Sequence, residues 1–337
     1  MMSSSVALMK AKEPLCLYDH SLLPLGDFEV YVRIEACGLG LADWNVAMRD
    51  AVPRTPLVLG QEAVGRVQVV GRGVKHLSIG SRVGITPLST TCDTCDACSR
   101  GQLQYCANAF FHGFHVDGAL CDVGLFVADQ LIPAPDVLTG AQLAPLYGSG
   151  WTAMGALRAA GVKDGMRVVI FGVGGVGHLA VQYAKTLGAA VAVVDPDKSR
   201  AQFGITLGAQ MVVDAVSVSK SLQAVWDGFD VAIVCTPSIQ AITQACRAVG
   251  PGGTVMLLGH APTTRIDVPL QDVVTRGLNV RGSFLGTLND LQEVVALART
   301  GVVVPTVERH PMSEAPDLLY KLRDGGFSGR LVFEPGR

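Results

Sequence analysis

Three glycines in the middle of the chain have the spacing of a dinucleotide-binding turn. Gly172, Gly174 and Gly177 fit G-x-G-x-x-G, directly after the apolar run at residues 168–171. In such a turn the first glycine makes a tight bend, the second lets the backbone approach a pyrophosphate, and the third allows a helix to pack closely on a strand. The N–H groups at the start of the following helix face the phosphates. A structural glycine turn without a ligand is the weaker interpretation, because a strand pattern and a helix pattern flank this motif.

An acidic residue after the next strand indicates which dinucleotide binds. A second apolar run at residues 190–194 ends in Asp195, 18 residues after Gly177. A carboxylate at this place accepts hydrogen bonds from the ribose hydroxyls of an adenosine and repels a 2′-phosphate. We therefore expect NAD(H) as the cofactor, in preference to NADP(H). The other residues expected to bind it are Gly175, Val176, Arg200 and Thr152.

Four cysteines predict a structural zinc site. Cys92, Cys95, Cys98 and Cys106 have the spacing C-x2-C-x2-C-x7-C. Two-residue spacers let neighbouring thiolates converge on one tetrahedral ion, and four thiolates leave no open position for water or substrate. One Zn²⁺ per chain is expected here. An iron–sulfur cluster, which also uses four thiolates, and reduced metal-free cysteines are the alternatives.

The composition is that of a globular enzyme with two domains. The chain has 337 residues, of which 49% are hydrophobic, and single cores stop growing near ~250–300 residues. A net charge of −2 argues against a nucleic-acid or membrane partner and leaves a small-molecule substrate. The chain starts without a basic leader or an apolar signal core, which predicts a cytoplasmic location.

The pattern of elements changes along the chain. Short strands between Gly and Pro turns, at residues 30–36, 64–70 and 81–87, predict a small barrel or sandwich. Residues 139–160 predict a helix, and from Arg167 onward strands alternate with helices as in a doubly wound sheet. The expected strands of that sheet are residues 168–171, 190–194, 211–213, 230–235, 254–258 and 279–283, with helices at 178–187 and 290–300.

Together these features resemble the zinc-containing alcohol dehydrogenases of the medium-chain dehydrogenase/reductase superfamily. The resemblance covers nearly the whole chain, and further segments stand in the family's order. They are E-A-C-G at 35–38, G-Q-E-A-V-G at 60–65, G-S-R-V-G at 80–84, G-G-T at 252–254 and R-G-S-F-L-G-T at 281–287.

The resemblance implies an α/β fold with a GroES-like, β-rich catalytic domain and a Rossmann domain with a doubly wound parallel sheet. The catalytic domain is expected at residues 1–144, with the cysteine lobe at 92–106, and again at 285–337. The NAD-binding Rossmann domain is expected at 145–284. A substrate cleft between the domains is implied, as is a homodimer or homotetramer that pairs edge strands near 254–258 and 279–283.

The chain departs from this family at all three ligands of the catalytic zinc. Gly40 stands where the resemblance places a cysteine, Gln61 where it places a histidine, and Gly148 where it places a second cysteine. Glycine has no side chain and glutamine is a poor zinc ligand, so Glu62 alone cannot hold the ion. Leu288 also replaces an arginine that usually meets the cofactor pyrophosphate.

Without zinc, exchange between an alcohol and an aldehyde loses its electrophile. Hydride delivery does not depend on zinc, because the nicotinamide supplies the hydride. A conjugated C=C bond or an iminium spreads the charge that develops during reduction, so it needs less stabilisation by an electrophile. Zinc-free relatives in the superfamily reduce conjugated C=C bonds. We therefore expect reduction of an activated small molecule. The alternatives are alcohol or aldehyde dehydrogenase activity that uses a side-chain acid, and a non-redox scaffold that binds nucleotide.

Five residues in the region of the missing catalytic-zinc ligands are candidates for chemistry: Tyr147, Glu62, Gln61, Asn45 and Asp43. Tyr147 can donate a proton to an enolate, although a role in lining the pocket is equally open. Glu62 is the favoured general acid or base, because we expect it to be buried. Gln61 and Asn45 can donate hydrogen bonds to a substrate oxygen. For Asp43 we favour hydrogen bonds to nearby backbone.

Overall fold

The computed structural model describes residues 1–214, 228–260, 265–266, 268–324 and 327–336. The chain divides into two compact units, Met1–Gly148 with Gln292–Arg337, and Ser149–Leu291. The boundaries expected from the sequence, 144/145 and 284/285, lie a few residues before these. No helix among the described residues is long and apolar enough to cross a membrane.

The secondary structure of the described residues is dominated by strands in the first unit and by alternating strands and helices in the second. The strands are β1 (Met2–Leu8), β2 (Leu15–Ser21), β3 (Glu29–Leu39), β4 (Leu57–Val58), β5 (Glu62–Val70), β6 (Arg82–Ile85), β7 (Leu88–Thr90), β8 (Phe110–Phe111), β9 (Val123–Val127), β10 (Ile132–Pro133), β11 (Arg167–Phe171), β12 (Ala190–Val194), β13 (Met211–Val212), β14 (Phe229–Val234), β15 (Val249–Leu257), β16 (Asn279–Gly282), β17 (Val307–Pro311) and β18 (Arg330–Glu334). The α-helices are α1 (Leu41–Ala47), α2 (Asp96–Ser99), α3 (Gly140–Leu143), α4 (Ser149–Ala159), α5 (Gly177–Thr186), α6 (Lys198–Thr206), α7 (Ile239–Ala248), α8 (Leu270–Arg276), α9 (Leu288–Thr300) and α10 (Ala315–Asp324).

Strand β3 is the centre of the first unit. The main sheet has the order β10-β6-β5-β3-β18-β17, and β9 also pairs with β3. Two smaller sheets, β2-β1-β4 and β7-β8, complete the unit. Apolar side chains of β3, including Val30, Val32 and Ile34, share one core with Val83 and Ile85 of β6. The expected β-rich, GroES-like architecture is confirmed.

The register around β3 brings distant parts of the chain together. Gly38 of β3 pairs with Glu62 of β5 on one side and with Val332 of β18 on the other. Leu331 of β18 pairs with Leu39. Because this pair is antiparallel, Arg330, one residue earlier, lies beside Gly40. Glu62 and Arg330 therefore approach the end of β3 from its two sides.

The second unit is built on one parallel sheet. Its strand order is β13-β12-β11-β14-β15-β16, and the pairings between these neighbours are parallel. This is the strand order of the doubly wound Rossmann fold. Val168, Val169 and Ile170 of β11 are fully buried, as expected of a central strand that is covered on both faces. The predicted fold class is confirmed.

Residues 139–160 do not form one continuous helix, which corrects the sequence-based expectation. Helix α3 ends at Leu143, a turn of 3-10 helix covers Ala144–Tyr147, and α4 begins at Ser149. Pro145 lacks the N–H that would continue an α-helical hydrogen-bond ladder, and Gly148 has φ −122° and ψ −72°, outside the helical region. The break sets the direction in which Tyr147 points.

Candidate functional site

A buried ion pair occupies the place where the sequence lacks zinc ligands. Nε and Nη2 of Arg330 both donate hydrogen bonds to Oε1 of Glu62, from Nε at 2.8 Å. The side chains of Arg330 and Glu62 are 11% and 5% exposed. Burying either charge without the other would be strongly unfavourable, so each residue requires its partner.

Three glycines make room for this pair. A Cβ atom at Gly40 would overlap Nη1 and Nη2 of Arg330. A Cβ atom at Gly38 or at Gly148 would overlap the carboxylate of Glu62. Gly38 and Gly40 are two residues apart at the end of an extended strand, so they present the same face. The ion pair thus occupies the space that the Cβ atoms of cysteines at positions 40 and 148 would need.

The residues around the pair do not fit a catalytic zinc ion. Gly40 and Gly148 offer no thiolate, Gln61 offers no imidazole, and Glu62 is engaged by Arg330. Within the part of the chain that the structure describes, the one group of His, Cys, Asp and Glu atoms close enough to share a metal ion is the cysteine cluster.

Asp43 ties together the two backbone segments beside the ion pair. One carboxylate oxygen accepts a hydrogen bond from the N–H of Gly40 at 2.9 Å and the other from the N–H of Gly60 at 3.2 Å. Only 2% of the residue is exposed. Burial raises the pKa of Asp43 to about 6, against the lowering effects of the Gly40 N–H and the Arg330 charge. Asp43 holds the start of α1 against the segment before β5.

Tyr147 lies in the core of the first unit. It is 1% exposed, and its hydroxyl donates a hydrogen bond to the carbonyl oxygen of Pro133 at 3.2 Å. Its ring packs directly on Gly84 of β6, where a Cβ atom would overlap it. Burial raises the pKa of the Tyr147 hydroxyl well above its usual value. Because the hydroxyl donates to a backbone carbonyl, this position does not favour proton donation by Tyr147, and that role stays a prediction.

Gln61 and Asn45 are both half-buried. No residue in the described ranges forms a hydrogen bond with the Gln61 side chain. The Cγ atom of Gln61 packs near Gly113, 3.3 Å from where a Cβ atom would lie if position 113 had a side chain. Asn45 lies on α1, next to Trp44, whose ring packs edge-on against Tyr320 at 5.2 Å between centroids. Gln61 keeps the capacity to donate hydrogen bonds.

The four cysteines of the lobe converge. The sulfur atoms of Cys92, Cys95, Cys98 and Cys106 all lie within 4.8 Å of one another. Cys95 and Cys98 are 3.6 Å apart and Cys92 and Cys106 are 3.5 Å apart, measured between sulfur atoms. Tetrahedral zinc with bonds of about 2.3 Å would hold sulfurs about 3.8 Å apart. The donor set and its spacing fit a closed zinc site.

The glycine turn in the second unit has the shape of a phosphate cradle. Gly172 has φ +88°, a conformation that favours glycine. A Cβ atom at Gly177 would overlap the carbonyl oxygen of Gly172, and one at Gly174 would meet no atom within 4 Å. Gly177 thus permits α5 to pack closely on the turn, and Gly174 leaves open space beside its backbone. Gly175 completes the turn, Val176 precedes the first residue of α5, and Thr152 lies on α4.

Asp195 lies directly against this turn. It follows β12, and its Oδ2 accepts a hydrogen bond from the N–H of Val173 at 2.8 Å. Its Oδ1 accepts from the N–H of Asp197 at 3.0 Å and from Nε of Arg200 at 3.1 Å. Arg200 of α6 therefore lies beside the carboxylate. Leu288, at the start of α9, is 42% exposed.

Arg330 is the site residue that the sequence reasoning missed. It lies 268 positions from Glu62 along the chain, in the segment G-R-L-V-F. The available signal was a charged residue directly before the apolar run Leu331–Phe333 of β18. Only the pairing of β18 with β3 indicates where that charge points.

The comparisons with known proteins agree with this architecture. Residues 26–136 match the alcohol dehydrogenase GroES-like domain, and residues 175–300 match the zinc-binding dehydrogenase family. An alcohol dehydrogenase of Geobacillus stearothermophilus is 35% identical over 96% of this chain and 97% of its own length. The chain belongs to the zinc-type alcohol dehydrogenase family of medium-chain dehydrogenases/reductases.

This family member is an NAD(P)-dependent, alcohol dehydrogenase-like oxidoreductase. An alcohol dehydrogenase of Moraxella sp. (strain TAE123) is 34% identical over 92% of each chain. The solved structure of the alcohol dehydrogenase from the archaeon Aeropyrum pernix is similar with a TM-score of 0.90 and 30% identity. That similarity covers 98% of this chain and all of the archaeal one.

Proposed function

We propose that this protein is an NAD(H)-preferring oxidoreductase that holds one structural zinc ion and no catalytic zinc. Its substrate is a small molecule with an activated double bond, a conjugated C=C or an iminium. The Arg330–Glu62 pair carries this proposal, because it lies in the space that metal ligands at positions 40 and 148 would need. A reaction that needs a Lewis acid is not supported by such a site.

The residues of the second unit support the choice of cofactor. When bound, the nicotinamide supplies the hydride. The turn at Gly172, Gly174 and Gly177 provides N–H groups for the pyrophosphate. The Asp195 carboxylate favours free ribose hydroxyls and disfavours a 2′-phosphate. Arg200 neutralises part of that negative charge, but its Nε is already bonded to Asp195.

The residues of the first unit support the two statements on zinc. Cys92, Cys95, Cys98 and Cys106 offer four thiols at the spacing of a closed tetrahedral site. Hydrogen bonds from the backbone of Thr94 and Cys95 lower the pKa of Cys92 to about 5, whereas burial raises the pKa of Cys98 to about 12. A closed site contributes to folding and offers no position for substrate.

A reductase assay tests the function. NADH oxidation is followed with a conjugated enal, a conjugated enone, a cyclic iminium and, as a matched control, the saturated aldehyde of the same chain length. We expect turnover of at least one conjugated substrate or of the iminium, and turnover of the saturated aldehyde slower by about tenfold or more. For the enal, the expected product is the saturated aldehyde. Preferential formation of the allylic alcohol, or no NADH oxidation with any of these compounds, would contradict the proposal.

A further inference from the structure

The first unit contains a cavity of about 540 Å³. The residues that border it lie between positions 5 and 127, in β1, β2, β4, β7 and β9 and in the segments beside them, so the cavity belongs to the first unit alone. Neither the Arg330–Glu62 pair nor the cysteine lobe borders it. Sites for small organic molecules have volumes of ~300–1,000 Å³. The cavity is thus a separate space with room for such a molecule.

The imidazole ring of His112 presents a hydrogen-bond acceptor at this cavity. Nδ1 of His112 lies 2.9 Å from the carbonyl oxygen of Thr86. Because a carbonyl oxygen only accepts, Nδ1 carries the proton, and Nε2 of the neutral ring carries a lone pair. Burial lowers the pKa of His112 to about 4, against the raising effect of the hydrogen bond with Thr86. The ring is therefore neutral at neutral pH, and Nε2 keeps its lone pair.

Two buried polar atoms face the cavity without a protein partner. His112 and Ser89 both border it, and they are 3% and 4% exposed. No described residue forms a hydrogen bond with Nε2 of His112 or with the hydroxyl of Ser89. Neither atom is fully enclosed by protein, so each keeps contact with open space, and the open space that both residues share is the cavity. Buried polar groups nearly always have hydrogen-bond partners, so these two atoms indicate a polar group on a bound molecule.

Apolar side chains border the same cavity. The ring of Phe126 packs edge-on against His112, with 5.4 Å between centroids and 70° between the ring planes. Val58 and Leu125 add aliphatic surface. Aromatic rings pack favourably on such surfaces, with edge-to-face or offset geometry. The walls therefore favour a ligand with an aromatic body.

The charged groups at the cavity disfavour an anion. Three carboxylates and one guanidinium border it. Arg54 is paired with Asp117 at 3.4 Å, and both side chains are partly exposed. Asp19 accepts a hydrogen bond from the hydroxyl of Ser4 at 2.6 Å, and Glu29 accepts one from a backbone N–H at 2.8 Å. Because each carboxylate already has a donor, a cation would lose its water without gaining an unused acceptor.

We propose that this cavity binds a phenol, an uncharged aromatic molecule whose hydroxyl group donates a hydrogen bond to Nε2 of His112. The hydroxyl of Ser89 can donate to the same phenol oxygen, since an oxygen of this type both donates and accepts. An ether has no proton to donate, and a carboxylate brings lone pairs toward the lone pair of Nε2. The carbon that carries a phenol hydroxyl has no hydrogen, so the ligand cannot act as an alcohol substrate that gives up hydride.

Calorimetric titration with four naphthalene compounds tests the ligand class. They are 2-naphthol, 2-methoxynaphthalene, 2-naphthoate and naphthalen-2-ylmethylammonium, and they share one ring system. The full-length protein is titrated at neutral pH with NAD⁺ present in excess, so that the nucleotide site is filled. We expect 2-naphthol to bind, and each of the other three to bind about tenfold more weakly or worse.

Two variants locate the binding. His112→Asn keeps an amide N–H for the carbonyl of Thr86 and removes Nε2. Val116→Trp fills the cavity from a half-buried position on its border. The matched controls are His310→Asn and Val137→Trp, because neither residue borders the cavity. We expect affinity for 2-naphthol to fall about tenfold in His112→Asn and in Val116→Trp, and to stay at the wild-type value in both controls.

Thermal unfolding of each variant shows whether the fold is kept. Failure of 2-naphthol to bind the wild type, as expected of a cavity that holds water alone, would overturn the inference. Wild-type affinity for 2-naphthol in a folded Val116→Trp variant would also overturn it. So would binding of the ether, the carboxylate or the ammonium compound as tight as that of 2-naphthol. If His112→Asn does not fold, the comparison of 2-naphthol with its methyl ether and the Val116→Trp variant still decide the matter.

Discussion

Arg330 and Glu62, 268 positions apart in the chain, form a buried ion pair that lies across Gly38 and Gly40 at the end of β3. The pair is possible because three neighbouring strands, β18, β3 and β5, place the two side chains on either side of residues that have none. The glycines at positions 38, 40 and 148 leave the room that the carboxylate and the guanidinium occupy.

Filling this space with a methyl group should disturb the pair. A Gly40→Ala variant places Cβ where the guanidinium of Arg330 lies, although the φ of −152° at Gly40 is accessible to alanine. We expect the free energy of unfolding to fall by about 2 kcal/mol, because Glu62 loses part of its pairing. Urea denaturation measures this change.

The matched control is Gly282→Ala, since a Cβ atom at Gly282 meets no atom within 4 Å. Its free energy of unfolding should stay within about 0.5 kcal/mol of the wild type. Equal stability of Gly40→Ala and Gly282→Ala would show that the ion pair does not depend on the empty position.

A Tyr147→Phe variant should retain turnover. The hydroxyl donates to the carbonyl of Pro133 and has no part in the proposed chemistry. Removing it should lower the free energy of unfolding by about 1 kcal/mol, the usual net contribution of one hydrogen bond. Steady-state kinetics and urea denaturation of the same preparation separate the two effects. A tenfold loss of kcat with unchanged stability would favour Tyr147 as the acid.

An Asp195→Ser variant should shift the cofactor preference toward NADP(H). The substitution removes the negative charge beside the ribose site and releases Arg200 to meet a 2′-phosphate. We expect the ratio of kcat/KM for NADPH to that for NADH to rise by about tenfold or more. Asp197→Ser is the matched control, because it removes a second carboxylate that pairs with Arg200, at 3.5 Å, while serine keeps the N-cap of α6. An unchanged ratio in Asp195→Ser would show that this carboxylate does not contact the ribose.

Asp43 should make the protein more stable at mildly acidic pH. Its pKa is raised from 3.8 to about 6 on folding, with burial as the largest cause. The folded state therefore binds the proton more tightly, so this contribution is complete below about pH 4 and is lost as pH rises through 6. The loss amounts to about 3 kcal/mol at most.

Comparison with an Asp43→Asn variant isolates the contribution of Asp43 to the free energy of unfolding, because the contributions of the other titrating groups cancel in the difference. The free energy of unfolding of the wild type minus that of the variant should decrease between pH 4 and pH 7. A difference that stays flat over this range would show that the Asp43 carboxylate has an ordinary pKa in the folded protein.

Much of the fold and part of the site could be predicted from local patterns. The apolar runs at 168–171 and 190–194 coincide with β11 and β12 to within one residue, because central parallel strands are continuously apolar. The cysteine cluster could also be predicted, since two-residue spacers let neighbouring sulfur atoms converge. The departures from the family pattern at positions 40, 61 and 148 could be seen because they are single positions within local motifs.

The long-range features could not be read in this way. Arg330 reaches the site through strand pairing between segments that are far apart in the chain, and no local pattern specifies that register. The direction of the Tyr147 side chain could not be read for a related reason. Its neighbour Gly148 does lie at the ion pair, but the 3-10 turn sends the phenol ring toward β6 and β10.

The metal content of the purified protein tests the central claim most directly. Zinc is measured by mass spectrometry on protein prepared without chelators, for the wild type, for Cys98→Ser, and for Cys16→Ser, a control at an exposed cysteine outside the lobe. The account predicts about one zinc per chain in the wild type and in Cys16→Ser, and close to none in Cys98→Ser. Two zinc ions per wild-type chain, with one remaining in Cys98→Ser, would contradict it.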